Sequence, residues 1–297
     1  MIQYCYGGEI MQLKLSLIEK ADRDNDIFPF YIYQLTAKKN QKVFNVHWHE
    51  ELEIIYCQSS GILELNSQEY YFEKNDIIFI NKENLHKLTA LSDGVFFVIV
   101  FHYQFLDFKN NDYCQTNIMD HLKKQQLLFP WKIDEKNEIY GEVNHLILEI
   151  IELYFSQSIG RTLKIKSNLY HIIFLFLNSN QFINASCETA DRCYQIDYVK
   201  STIKYLEENF SDHISINDLS KHSNISKFYL LSIFKQFTGM SPIEYLINLR
   251  LENSLILLKE NKSVTQTAYD AGFNSVSYYI KKFREKYNQT PKDFKNK

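Results

Sequence analysis

Residues 214–246 and 263–295 carry one pattern twice, at an offset of 49 positions. Ser226 falls on Ser275, Phe234 on Phe283, Lys235 on Arg284, Ser241 on Thr290, Pro242 on Pro291 and Tyr245 on Phe294. Leu219 and Leu230 keep apolar counterparts in Ala268 and Tyr279. Self-similarity of this kind means one supersecondary unit used twice. In the first copy Ile216–His222 reads as a short helix and Ser223-Asn224-Ile225 as a turn. Ser226 then caps a second helix running to Phe237, because its hydroxyl can accept an orphan backbone N–H. In the second copy Thr267–Ala271 is helical, Gly272 supplies the turn and Ser275 caps the next helix. A long helix, Pro242–Leu258, with Leu246, Leu249, Leu251, Leu255, Leu257 and Leu258 as its apolar positions, joins the copies rigidly.

The longer helix of each copy has two faces. Leu230, Ile233 and Phe234 share one, leaving Lys227, Phe228, Leu231, Ser232 and Lys235 on the other. Tyr279 and Phe283 point inward in the second copy, leaving Val276, Ser277, Tyr278, Lys281 and Arg284 outward. A capped helix of this size fits the major groove, where its first turns reach base edges and flanking cations reach phosphates. Two such helices at a fixed separation enter successive grooves, about 34 Å apart on one side of a duplex. These ten outward residues are the candidate DNA contacts, and double-stranded DNA is the expected partner. Packing alone, as in a bundle or solenoid, would need no cap, turn and closing proline repeated at a single offset.

Charge is permissive. Residues 196–297 hold 15 Lys and Arg against 11 Asp and Glu, whereas the rest of the chain holds 18 against 25. The excess gathers at the end, in Lys281, Lys282, Arg284, Lys286, Lys292, Lys295 and Lys297. A length of 297 residues suits two domains. No apolar run is long enough to span a membrane, and the first residues lack the pattern of a signal peptide. Five scattered cysteines (Cys5, Cys57, Cys114, Cys187, Cys193) form no CxxC pair, which argues against a disulfide framework or structural zinc and for a reducing cytoplasm.

From about 28 to 104 the chain changes character. Phe30–Leu35, Val43–His47, Glu53–Cys57, Ile62–Leu65, Tyr70–Phe72, Ile77–Ile80 and Val95–Phe101 read as short strands parted by turn residues, the pattern of a β-sandwich or small barrel. Glu138–Phe155 and Thr162–Leu177 follow as apolar helices that must pack on the sheets, on each other or on a second copy of the chain. The polar segment Asn178–Gln195 reads as a linker, and Met1–Asp26 as an arm or tail. Continued as a strand, His47-Trp48-His49-Glu50-Glu51-Leu52-Glu53 puts His47, His49 and Glu53 on one face, and His86 can reach the same cavity. Such a set lines a polar ligand pocket, binds Fe, Mn, Ni or Zn, or holds the barrel together. Tyr31, Tyr33, Tyr56, Tyr71 and Trp48 suit either stacking on a sugar ring or plain core packing.

Two resemblances draw these readings together. DLSKHSNISKFYLLSIFKQFTGMSPIEYLINLRL and AYDAGFNSVSYYIKKFREKYNQTPKDFK resemble the two halves of the AraC/XylS-type DNA-binding domain, over about residues 197–297. Asn288 stands where that family prefers Gly, Lys282 and Thr267 where it prefers apolar residues, and Ser220 where it prefers Ala. The HxH, the Glu four residues on, Gly61 and the final His86 are similar to the cupin motifs, with Asn75-Asp76 in place of Gly-Asp and Lys82 in place of Pro. The resemblances imply an α+β two-domain chain. A cupin-like β-barrel with trailing helices (1–180) and a linker (181–195) would precede an all-α domain of two helix-turn-helix units joined by a long helix (196–297). They further imply a transcription regulator, commonly an activator, that is no enzyme and needs no cofactor. A small-molecule effector, carbohydrate by family habit, would bind at His47, His49, Glu53 and His86, with a homodimer and RNA polymerase as further partners. The alternative is a metal-dependent cupin enzyme, or a metal sensor, fused to a DNA-binding domain.

Overall fold

The computed structural model describes residues 29–110, 112–184, 190–260 and 262–295. The segment Met1–Asp26, with Cys5, and Cys187 lie outside them. The chain divides into two compact units, one up to residue 187 and one from residue 188.

The first unit is built on β1 (Phe30–Ala37), β2 (Lys42–His47), β3 (Leu52–Cys57), β4 (Gly61–Leu65), β5 (Gln68–Phe72), β6 (Ile77–Ile80), β7 (His86–Ala90) and β8 (Gly94–Phe101). Two-residue strands follow at β9 (Leu127–Leu128), β10 (Lys132–Ile133) and β11 (Ile183–Asn184). One antiparallel sheet runs β1-β8-β3-β6-β10 and the other β2-β7-β4-β5. Their facing side chains, among them Leu35, Phe44, Ile55, Leu63, Phe72, Ile78, Leu88, Phe96 and Val98, make one core. The five-stranded sheet is covered on its other face too. Ile54, Phe79, Ile99 and Phe101 there meet α2 (Tyr140–Phe155) and α3 (Arg161–Asn178) through Val143, Ile147, Ile150, Leu169, Ile172 and Phe176. Burial on both faces explains why β3 (LEIIYC) and β6 (IIFI) are buried throughout and do not alternate. A short helix, α1 (Asp120–Lys123), precedes β9 and adds Leu122 to the same cluster. The trailing helices therefore bury their apolar stripes against their own sheet.

Three expectations change. The strand β7 is missing from the sequence reading, because HKLTA begins with two polar residues; its burial nonetheless alternates, and His86 opens it. Strand β2 stops at His47, so His49 lies on the connection to β3 and is no continuation of the strand. The linker expected at 181–195 is shorter, since Ile183–Asn184 pairs with Leu127–Leu128 and α4 (Ala190–Glu208) starts at Ala190.

The second unit contains α4, α5 (Ile216–Ser223), α6 (Lys227–Thr238), α7 (Pro242–Lys259), α8 (Val264–Asp270), α9 (Val276–Tyr287) and α10 (Pro291–Lys295). No helix among the described residues is long and apolar enough to cross a membrane.

Candidate functional sites

The repeat becomes geometry at α6 and α9. Both span 12 residues, and both starts and ends are separated by the same 49 positions. Ser226 accepts from the Tyr229 N–H and Ser275 from the Tyr278 N–H, each at 3.3 Å. Both helices end in a left-handed residue, Gly239 at φ 74° and Asn288 at φ 53°, which opens the orphan carbonyls to a capping N–H. The next helices start alike: Ser241 and Glu244 form a capping box ahead of Pro242, and the Thr290 hydroxyl donates to Asp293 at 2.6 Å ahead of Pro291. The shorter helices are less faithful copies. The caps of α5 and α8 are Ser215 and Ser263, 48 positions apart, and the left-handed turn residue is Asn224 in one copy and Gly272 in the other.

Packing sorts the faces as the periodicity predicts. Leu230, Ile233, Phe234, Tyr279 and Phe283 are buried. Lys227, Phe228, Leu231, Ser232 and Lys235 are exposed on α6, as are Ser277, Tyr278, Lys281 and Arg284 on α9, while Val276 is half-buried. Of the large apolar residues among these, Phe228 is the most exposed, at 87 %.

Both copies are fixed to α7. Arg250 donates to the Phe210 and Asp212 carbonyls, each at 2.7 Å, and so clamps the loop ahead of α5. Lys286 on α9 pairs with Glu252 at 2.9 Å. The sequence reading passes over Arg250 and Glu252, because a polar residue on an apolar connector gives no periodic signal, and counts Lys286 only in the basic excess.

The departures at Ser220, Lys282 and Thr267 have different outcomes. Ser220 donates to the Ile225 carbonyl across the turn at 2.6 Å, and Lys282 pairs with Glu285 at 2.7 Å on the surface. Thr267 is fully buried and its hydroxyl has no partner among the described residues. Thr267→Val keeps the shape and removes the stranded hydroxyl. It should raise the stability of the second unit by about 1 kcal/mol in urea unfolding. A loss of stability would show that the hydroxyl is satisfied in solution.

In the first unit, His47, His49, Glu53 and His86 do come together, with one donor atom from each within 4.8 Å of the others. His47 ends β2 and is the register partner of His86 at the start of β7. Glu53 reaches them from β3 in the opposite sheet, on the same face as Ile55 and Cys57. His49 arrives from the β2–β3 connection, so a turn and a pair of facing sheets assemble the set, where a single strand was expected. Phe44 walls the centre, meeting the His47 and His86 rings edge-on at 5.1 and 5.5 Å.

Each imidazole is anchored by the backbone. His47 Nδ1 donates to the Asn45 carbonyl at 2.9 Å, His49 Nδ1 to Glu51 at 3.2 Å and His86 Nδ1 to Asn84 at 2.7 Å. His49 Nε2 lies 2.9 Å from Glu53 Oε2. His86 Nε2 is 3.4 Å from the same oxygen, near enough for attraction but without a hydrogen bond. Burial, reinforced by the neighbouring His86 and His49, holds the His47 pKa well below its ordinary value. Burial would push the Glu53 carboxyl up, but the charge of His86 and the contacts with His49 and His86 outweigh it and hold the group well below the usual carboxylate range. Tyr56 projects from the other face of β3 into the helix-covered core, Tyr71 is exposed on β5, and Trp48 is half-buried beside His49.

Residues 29–109 match a family described as the AraC-like ligand binding domain, and residues 219–297 one described as a helix-turn-helix domain. The chain is 23 % identical over 295 residues to the uncharacterized HTH-type transcriptional regulator YdeC of Bacillus subtilis, covering 90 % of this chain and 91 % of that one. It is 23 % identical over 271 residues to the HTH-type transcriptional activator RhaS of Escherichia coli, covering 86 % and 88 % respectively. Among solved structures, ToxT from Vibrio cholerae aligns with a TM-score of 0.46 at 15 % identity, over 90 % of this chain and 98 % of that one.

Proposed function

Because this chain belongs to the AraC family of DNA-binding transcription regulators, with a ligand-binding domain ahead of its helix-turn-helix domain, we propose that α6 and α9 are its two reading helices. Lys227, Phe228, Leu231, Ser232 and Lys235 contact DNA from α6, and Val276, Ser277, Tyr278, Lys281 and Arg284 from α9. One observation carries this reading. Two helices of equal length and equivalent caps expose equivalent faces, and each meets one connecting helix, α6 through Phe234 edge-on to Tyr245 at 5.7 Å and α9 through Lys286 paired with Glu252.

Substitutions separate base reading from phosphate contact. Lys281→Ala and Ser232→Arg should change which sequences are preferred, each altering one block of the site by about 1–3 kcal/mol of discrimination. Lys292, exposed in α10, should act through phosphate. Lys292→Ala then weakens binding to all sequences and flattens the salt slope by about one unit. Equal losses on every sequence for all three variants would sink the assignment.

The first unit takes the signal, at the centre formed by His47, His49, Glu53 and His86. A small molecule, with carbohydrate as its class, is the signal that the resemblance implies. We read the chain as an activator, as the relative RhaS is named, with RNA polymerase as the partner activation requires. It acts as a cytoplasmic homodimer. Leu148 and Phe155 on α2 and Leu163 and Phe174 on α3, exposed on the helix pair by 42, 56, 77 and 55 %, support self-association there.

A further inference from the structure

We propose that Arg250, midway along α7, is the positioning residue that sets the separation between the two reading helices, and with it the spacing of DNA blocks that the second unit accepts. The proposal rests on the reading of α6 and α9 as DNA-reading helices and adds what holds them in step.

A helix that joins two copies does not by itself fix them, since each can tilt about its own end of the connector. Holding them in step takes a direct contact between the copies. The chain supplies one where the loop between α4 and α5 meets the turn between α8 and α9. The Phe210 carbonyl oxygen and Ser211 backbone run so close to Gly272 that a Cβ there would stand 2.8 Å from each. Phe273 follows in the turn, buried, with its ring 5.1 Å from that of Tyr279 on α9. On the loop side, Asp212 leads directly to Ser215, whose capping box with Asp218 starts α5. Ser220 then ties α5 to the turn ahead of α6. The loop is the root of the first copy, and the turn is the root of α9.

Arg250 closes this junction. Its guanidinium donates through Nε to the Phe210 carbonyl and through Nη2 to the Asp212 carbonyl, each at 2.7 Å. It also lies 5.9 Å from the centroid of the Phe273 ring, within reach of a cation–π contact. One side chain therefore touches the loop of the first copy and the turn of the second, and its own backbone belongs to the connector. The planar fork suits the task, because its fixed donors serve two carbonyls at once in a geometry that a point-like ammonium does not reproduce.

The repeat does not carry this residue twice. Forty-nine positions earlier, in α4, stands Ser201. Arg250 is thus no part of the packing common to both helix-turn-helix units; it serves the pair. Tying two readers at a fixed distance raises affinity only for DNA that presents both blocks at the matching spacing, and the gain is lost where geometry forbids simultaneous engagement. A single inserted base pair turns the second block by about 35° and moves it by about 3.4 Å.

The test titrates the full-length wild type, Arg250→Ala and Arg250→Lys against four duplexes built from the motif that the wild type selects from a random pool. One keeps the selected spacing, one has a base pair inserted between the blocks, one has a base pair removed, and one has a block scrambled. The wild type is expected to bind the selected spacing about 100-fold tighter than the scrambled duplex, and to lose about 10-fold or more on insertion or removal. Arg250→Ala should keep the wild-type affinity for the scrambled duplex within about twofold, and bind the three two-block duplexes within about threefold of one another. If Arg250→Ala does not fold, Arg250→Lys, which keeps the charge and the aliphatic stem, decides on the same duplexes and should show the same relaxed spacing. A folded variant as strict about spacing as the wild type overturns the proposal, and so does an equal loss on all four duplexes, the mark of a merely structural role. A wild-type chain that binds the scrambled duplex as tightly as the intact one ends the paired reading itself, and that result is visible before any variant is made.

Discussion

Phe79→Ala is expected to destabilise the first unit by about 3–5 kcal/mol. The ring leaves β6 on the helix-covered face of the five-stranded sheet. It stacks on Phe129 at 4.9 Å with planes 5° apart and meets Phe176 of α3 edge-on at 5.2 Å. Phe176 and Phe129 are in turn edge-on to each other at 4.9 Å, so the three rings close a triangle between sheet and helix. Truncation leaves a void the size of the ring and strips the two remaining rings of their shared neighbour. The backbone around Phe129 cannot easily move in to fill it. Asn81 holds it from both sides, accepting from the Phe129 N–H at 3.0 Å and donating to its carbonyl at 2.9 Å. Urea unfolding of the full chain checks the figure. A loss below about 1 kcal/mol would mean that the site collapses freely and that α3 is not locked to the sheet.

Gly272→Ala should destabilise the second unit by about 2–5 kcal/mol and weaken DNA binding with it. Two independent costs add. Gly272 sits at φ 85°, where an L side chain is strained. A Cβ there would also lie 2.8 Å from the Phe210 carbonyl oxygen and from Ser211 backbone atoms. Those atoms belong to the loop that Arg250 clamps, so the overlap cannot be relieved by a side-chain rotation. The loop or the α8–α9 turn must shift, and either movement disturbs the placement of α9 relative to α6. Calorimetry on the full chain reads the stability and a titration with operator DNA reads the binding. A variant with unchanged Tm and affinity would show that the close approach between the turn and the loop is not kept in solution.

The sequence disclosed most where local rules act alone. Caps, closing prolines and buried positions of α6 and α9 follow from a hydroxyl ahead of each helix and an apolar residue every three or four positions. Seven strands of the first unit were legible from β-branched and aromatic runs. Strand β7 was not, because its first residue is a ligand-type histidine and its exposed positions are polar. The slip of one residue between the first helices of the two copies was hidden as well: a turn can be closed by Asn224 or by Gly272, and periodicity does not register the change.

The histidine centre was legible in its membership and misread in its geometry. A period-two strand suggested a shared face for His47, His49 and Glu53, yet three different segments deliver them. What brings them together is the pairing of β2 with β7 and the facing of the two sheets, both long-range facts. The backbone carbonyls that fix the three rings carry no side-chain signature at all.

Selection of binding sites from a random DNA pool with the full-length protein, at near-physiological salt, tests the central claim most directly. Paired reading by α6 and α9 predicts a motif of two blocks about 10 base pairs apart, with Lys281→Ala relaxing one block and leaving the other. A folded protein that selects no motif, or a single block indifferent to changes on α9, would contradict it.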